Sequence, residues 1–186
     1  MIKIITNEKI EFNNGTNWIK VKEYKYDLNT YEYYNTILTI TNFEEFLHQT
    51  KLPRRLTIAS PDNTQRITYT FSFTQSDSKI INKDFNFLKG RTLAYLHYIG
   101  YYEQKLKETK KNSFLDYKNP SDFAERILYN TERVFYETFG EQYTRKMGNP
   151  DQVLKKYKEV GEILINQYIM AFEISKGLGI DNVFIA

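Results

Sequence analysis

The stretch 149–176 constrains this fold more than any other, because a helical period runs through it without a break and both its ends are marked. Asn149-Pro150-Asp151-Gln152 places a capping side chain before the first turn and a proline at the first helical position, where a missing N–H costs nothing. An amide three residues after the cap closes the box. At the far end Lys176-Gly177 supplies a cation for the helix C-terminus and a residue free to take a left-handed turn. Between them Val153, Leu154, Tyr157, Val160, Gly161, Leu164, Ile165, Tyr168, Ala171, Phe172 and Ser175 recur at i, i+3, i+4, i+7, which makes a seam that must face a core. The opposite side begins polar, with Lys155, Glu159 and Glu162. It then turns apolar at Ile163, Ile169, Met170 and Ile174, so the last turns need cover on both sides. The expected cover is the rest of the same domain; a homodimer through this last helix is the other way to supply it.

A chain of 186 residues makes one domain or two small ones and buries roughly 70% of the surface it exposes when unfolded. It has no cysteine, which excludes disulfides, thiolate metal sites and thiol catalysis together. The chain holds no apolar run of about 18 residues, and the polar Asn7 and Glu8 follow its first six residues. Neither a membrane span nor a secretory leader is therefore expected, and a cytoplasmic location is. Net charge is +3, with basic and acidic residues mixed evenly through both halves. That mixture argues against a dedicated nucleic-acid module, which shows as a basic stripe, and equally against an acidic mimic of DNA.

Along the chain, 2–6 and 9–13 read as two short strands with a turn at Asn13-Asn14-Gly15. Residues 18–26 alternate, with Ile19 and Val21 on one face and Trp18, Lys20, Lys22, Tyr24 and Tyr26 on the other. The pattern then predicts a strand at 34–41, a short helix capped by Asn42 through His48, and strands at 56–60 and 66–73. In the last of these, Ile67, Tyr69, Phe71 and Phe73 face inward. The polar segment 75–83 reads as a loop and as the boundary between parts. From Leu88 onward the period is helical, with Leu93, Leu96, Ile99, Tyr102 and Leu106 on one face, a weak point at Gly100, and a linker at 111–119. Asn119-Pro120-Ser121-Asp122 opens a second helix that ends at Gly140, its seam formed by Ala124, Ile127, Leu128, Thr131, Val134, Phe135 and Phe139. The connection from there to Pro150 is too long for the turn of a helix-turn-helix. Residues 180–186 read as an edge strand or a segment docked on the bundle. The expected fold is thus α+β: a β-rich part, 1–79, with five or six antiparallel strands and one short helix, and a helical part, 80–186, with about three helices, packed as one globular unit.

Chemistry has few places to form. His97 stands between Tyr95 and Tyr98 with no second histidine at helical ligand spacing, and His48 near a helix end needs only the dipole to explain it. Lys89-Gly90-Arg91-Thr92 has one of the glycines a phosphate loop needs and no strand before it. Ser76 and Lys79 have a nucleophile–base spacing without companion motifs. Glu23-Tyr24-Lys25 with Asp62 has the local look of a nuclease site, though Asp62 falls in a turn. No metal, cofactor or catalytic residue is expected.

Two surfaces stand out. Arg126, Tyr129, Arg133 and Tyr136 recur at i, i+3, i+7 and i+10 opposite the seam of their helix, and arginine and tyrosine are enriched at the centres of protein interfaces. The bland alternative pairs these arginines with Glu125, Glu132 and Glu137 on a solvated face. Trp18, Lys20, Lys22, Tyr24 and Tyr26, backed by Tyr31, Tyr33 and Tyr34, could stack and neutralise single-stranded nucleic acid; equally, they could be the face that a helix covers. In composition alone the chain, rich in Tyr, Asn, Ile and Lys, resembles accessory proteins of bacteriophages and mobile elements from low-GC bacteria. That resemblance implies a non-enzymatic inhibitor or modulator in the host cytoplasm that binds a host protein machine, such as RNA polymerase or a CRISPR nuclease. Single-stranded nucleic-acid binding is the first alternative and a divergent nuclease the second.

Overall fold

A computed structural model describes residues 1–109, 119–140 and 148–178; residues 111–118 of the expected linker at 111–119, most of the connection after Gly140 and the segment 180–186 lie outside them. The fold is α+β and forms two compact units, Met1–Phe85 and Asn86–Ala186.

The first unit holds one antiparallel sheet of four strands, β1 (Ile4–Asn13), β2 (Trp18–Leu28), β3 (Arg55–Ala59) and β4 (Gln65–Ser72), in the order β2-β1-β4-β3. Asn7 and Glu8 do not break the first strand, because both stay in register with β2 and β4, so two expected strands are one. The β1–β2 turn is built from asparagines. Asn13 Oδ1 accepts from the Gly15 amide, Asn14 Oδ1 accepts from the amides of Thr16 and Asn17, and Gly15 takes φ +100°. At the same end of the sheet Asp62 and Ser60 close the β3–β4 turn, with Asn63 at φ +59°.

Residues 34–41 are not a strand: 34–40 belong to α1 (Thr30–Ile40), and Thr41 is its C-cap. Their Ile and Thr content favours a strand, yet Asn29 caps the segment: its Oδ1 accepts from the Glu32 amide at 2.8 Å while its Nδ2 donates to the Glu32 carboxylate at 2.8 Å. The helix then buries Tyr33, Tyr34 and Ile37 on one side. α2 (Phe43–His48) starts where Asn42 predicts, with the Glu45 amide 2.8 Å from the cap. The core of this unit is Ile4, Tyr33, Tyr34, Ile37, Phe46, Phe71, Ile81 and Phe85, all buried, with edge-to-face rings at Tyr33–Phe71 (5.0 Å) and Phe46–Phe85 (5.1 Å). Phe71 faces it as expected.

The segment 75–83 is likewise helical, the opening of α3 (Gln75–Thr109). Thr74 starts it, accepting from the Asp77 amide through its hydroxyl and from the Ser78 amide through its carbonyl. Ile81 and Phe85 at i, i+4 then tie the polar first turns to the core, and the boundary between units falls inside this helix.

The second unit packs the rest of α3 with α4 (Pro120–Phe139) and α5 (Pro150–Gly177). Asn119 caps α4 as predicted, 2.9 Å from the Asp122 amide, and the Asn149 side chain accepts from the Asp151 amide at 2.9 Å. Ala124, Ile127, Leu128, Thr131 and Phe135 are buried on α4, and Val153, Tyr157, Gly161 and Ile165 on α5, as the seams require. Two seam positions depart: Ala171 is exposed, and on α3 the buried line is Gly90, Ala94, Tyr98 and Tyr102, which leaves Leu96 39% exposed. The side chains of Leu106, Phe139, Phe172, Ser175 and Lys176 lie outside the described residues. Glycine sets the approach of α3 to α5. Val153 fills the space a side chain would take at Gly90, and the Tyr98 ring does the same over Gly161. Gly90 is therefore a packing residue in mid-helix, with no resemblance to a phosphate loop.

Candidate protein-binding surfaces

Because the α4 seam turns Ala124, Ile127 and Phe135 inward, the helix turns Arg126, Tyr129, Arg133 and Tyr136 outward, and all four are solvent-exposed, Tyr129 by 62% and Tyr136 by 46%. The stripe has a concavity at each end. Asp122, Glu125, Arg126 and Tyr129 line a shallow cleft of about 350 Å³ near the N-terminus. Tyr136 borders a tighter one of about 130 Å³ with Phe87, Arg91, Glu132 and Tyr157. Glu132 does not serve the stripe arginines. Its carboxylate takes the Arg91 guanidinium of α3 through Nε, with Nη2 at 3.4 Å, and accepts from the Tyr157 hydroxyl at 3.4 Å. Burial, with Glu132 beside it, pushes the Tyr157 phenol well above its ordinary range, so it stays a hydrogen-bond donor. Arg91 and Glu132 are 41 positions apart, and no local pattern joins them.

The sheet residues read as one aromatic–basic face are not on one face. β2 carries a bulge: Ile10 pairs with Lys22 and Glu11 with Lys20, which leaves Val21 unpaired and reverses the alternation. Trp18 and Lys20 share a face with Glu11 and Arg66, and there the Arg66 guanidinium lies 4.2 Å from the Trp18 ring while bonding Glu11. That bond, ahead of the desolvation that opposes it, holds the Glu11 carboxyl below its usual range. Lys22, Tyr24 and Tyr26 lie on the other face, with Ile19, Phe12, Ile10, Ile67 and Ile58. Tyr26 donates to Glu8 at 2.8 Å. Of the backing tyrosines, Tyr31 is exposed and Tyr33 and Tyr34 are core. What the sequence reading missed here is an apolar strip: Phe12, Ile19, Val21, Tyr24 and Ile58 are each 41–62% exposed.

The remaining polar groups are committed locally. Glu23 accepts from Asn7 at 2.9 Å and Lys20 at 3.0 Å, and Asp62 from Ser60 and Thr64 at 2.7 Å each; these bonds hold both carboxyls low and make them weak bases. Ser76 and Lys79 are both exposed on the first turns of α3. A cleft of about 590 Å³ in the first unit includes Lys51, Arg54 and Lys79, but the Arg54 guanidinium is already stacked 4.4 Å from Phe73 and bonded to Ser78. His97 is partly buried, with Nε2 3.6 Å from a Glu162 carboxylate oxygen. Ile163, Met170 and Ile174 remain exposed on α5. Among the described residues no group of three or more His, Asp or Glu side chains could hold a metal ion, and no helix is long and apolar enough to cross a membrane. No family model, curated protein or solved structure matches the chain at a significant level.

Proposed function

We propose that this protein works by binding another protein through the outward stripe of α4, without catalysing a reaction. The observation that carries this reading is the exposure of two tyrosines and two arginines along one line of a helix whose other side is core, with a concavity at each end of the line. Planar amphipathic side chains of this kind give up water at low entropic cost and form the centres of interfaces. On the compositional resemblance, the partner is a protein of a host machine such as RNA polymerase or a CRISPR nuclease, met in the host cytoplasm and inhibited or redirected by steric cover. The rival, single-stranded nucleic-acid binding by the sheet, draws less support, because the bulge parts Trp18 and Lys20 from Lys22, Tyr24 and Tyr26.

A salt titration against purified RNA polymerase, a purified CRISPR nuclease and a single-stranded oligonucleotide tests the proposal. Binding to a protein that weakens little as salt rises supports it. A steep fall of oligonucleotide affinity with salt, with no protein bound, would replace it with the nucleic-acid reading, since each phosphate contact releases a counterion.

A further inference from the structure

The sheet ends at β2, and among the described residues no strand pairs with the outer side of that strand. We propose that a second copy of this chain pairs there: two β2 strands run antiparallel about a two-fold axis at Tyr24, joining two four-stranded sheets into one. The surface is distinct from the α4 stripe.

The backbone settles which residues face outward. Asn13 N–H bonds Thr64 on the β4 side of β1, and β1 stays in register with β4 from Ile5 to Phe12, so odd-numbered residues of β1 turn to β4 and even-numbered ones to β2. Tyr24, opposite Glu8, therefore spends its N–H and C=O on β1. Glu23 and Lys25, opposite Lys9 and Asn7, turn theirs to the open edge. A two-fold axis perpendicular to the sheet keeps each face on its own side, so only residues of the same face can oppose one another.

Charge then selects the register. Centring on Lys22, Glu23 or Lys25 sets like charges against each other on the axis. Centring on Tyr24 sets Glu23 against Lys25 twice, once on each side, and these are the residues with outward backbone groups. Each such pair exchanges both of its N–H to C=O bonds. The tyrosines meet on the axis, and Lys22, whose Nζ lies 5.6 Å from its own Tyr24 ring, opposes the second Tyr26. Centring on Tyr26 also pairs opposite charges, Lys25 with Asp27, but pushes the overlap past Leu28 onto the capped start of α1. Lysines on an edge strand ordinarily repel an incoming strand. Here the Tyr24 register neutralises Lys25 with Glu23, and residues 22–26 lie clear of the bulge at Val21. The two Tyr24 side chains, each 42% exposed in a single copy, cover one another on the axis.

Sedimentation equilibrium over a dilution series tests the charge pattern. The wild type is expected to dimerise, with Glu23→Lys and Lys25→Glu each weakening the dimer at least about tenfold and the double exchange restoring it, while Asp27→Lys leaves it unchanged. The chain lacks cysteine, so a second measurement does not depend on how the charge variants fold. Tyr24→Cys should oxidise to a covalent dimer, because a non-hydrogen-bonded pair has disulfide spacing, and Tyr26→Cys should not. A protein that stays monomeric at its solubility limit, a dimer indifferent to both charge reversals and held elsewhere, or cross-linking at residue 26 in place of 24 would each overturn the proposal.

Discussion

Gly161 of α5 lies directly beneath the phenol of Tyr98 on α3, and a Cβ built there would overlap the ring at its Oη, Cζ and Cε1 atoms. The Tyr98 hydroxyl passes over that glycine to donate to the Tyr157 carbonyl, one turn earlier on α5. Helix propensity alone makes Gly161→Ala stabilising by about 1 kcal/mol. The ring is fully buried and cannot withdraw, so overpacking should win and the variant should lose about 1–3 kcal/mol in urea unfolding. Adding Tyr98→Leu to Gly161→Ala should return part of that loss. Equal or greater stability of Gly161→Ala alone would show that the helices are not locked there.

Gly100, ten residues beyond Gly90 on α3, gives the opposite sign. A Cβ there meets no atom within 4 Å, and the residue is exposed in mid-helix. Gly100→Ala should therefore stabilise by about 0.5–1 kcal/mol, through helix propensity and a less flexible unfolded chain. A denaturation midpoint unchanged or lowered would contradict the helical environment described for this residue.

These glycines also mark what could be read in the sequence. Caps are legible at Asn42, Asn119 and Asn149, because capping is a local exchange of one side chain for an orphan amide. Asn29 with Glu32 carries the same local signal, but the β-branched residues that follow it favour a strand, a preference that tertiary burial overrides. At 75–83 polarity concealed a helix held by only two apolar anchors, Ile81 and Phe85. The exposed line on α4 followed directly from the 3.6 period. The partition of β2 did not, since a bulge at Val21 is decided by pairing with β1 and leaves no mark in β2 itself.

The stripe on α4 makes the next prediction. Arg133→Ala and Tyr136→Ala should each cost more than about 1 kcal/mol in affinity for the protein partner, measured by calorimetry, while leaving the circular dichroism spectrum and unfolding midpoint near wild type, because both side chains are exposed. Tyr136 also borders the cleft that holds the Arg91–Glu132 pair, so its loss should exceed that of Arg126→Ala beside the more open cleft. Unchanged affinity in both Arg133→Ala and Tyr136→Ala would remove α4 as the binding surface.

His97 sets a dependence of stability on pH. Burial, and then the nearby Lys158, lower its pKa below the ordinary value of 6.5; the Glu162 carboxylate 3.6 Å away pulls the other way but contributes less. With the folded value depressed, the unfolded chain takes up a proton first as pH falls through about 6.5, so it binds more protons than the native state across the interval between the two values. Stability should accordingly be full above that interval and decline as the solution is acidified through it. The asparagine variant, His97→Asn, removes the titration, and its melting temperature should fall less than wild type between about pH 7.5 and 5.5. Neutralising Lys158 with Lys158→Gln should shrink the wild-type decline, since it removes one of the two causes of the shift. A wild-type protein that grows more stable on acidification through this range, or a His97→Asn variant with the same slope, would mean that Glu162 and not burial governs the imidazole.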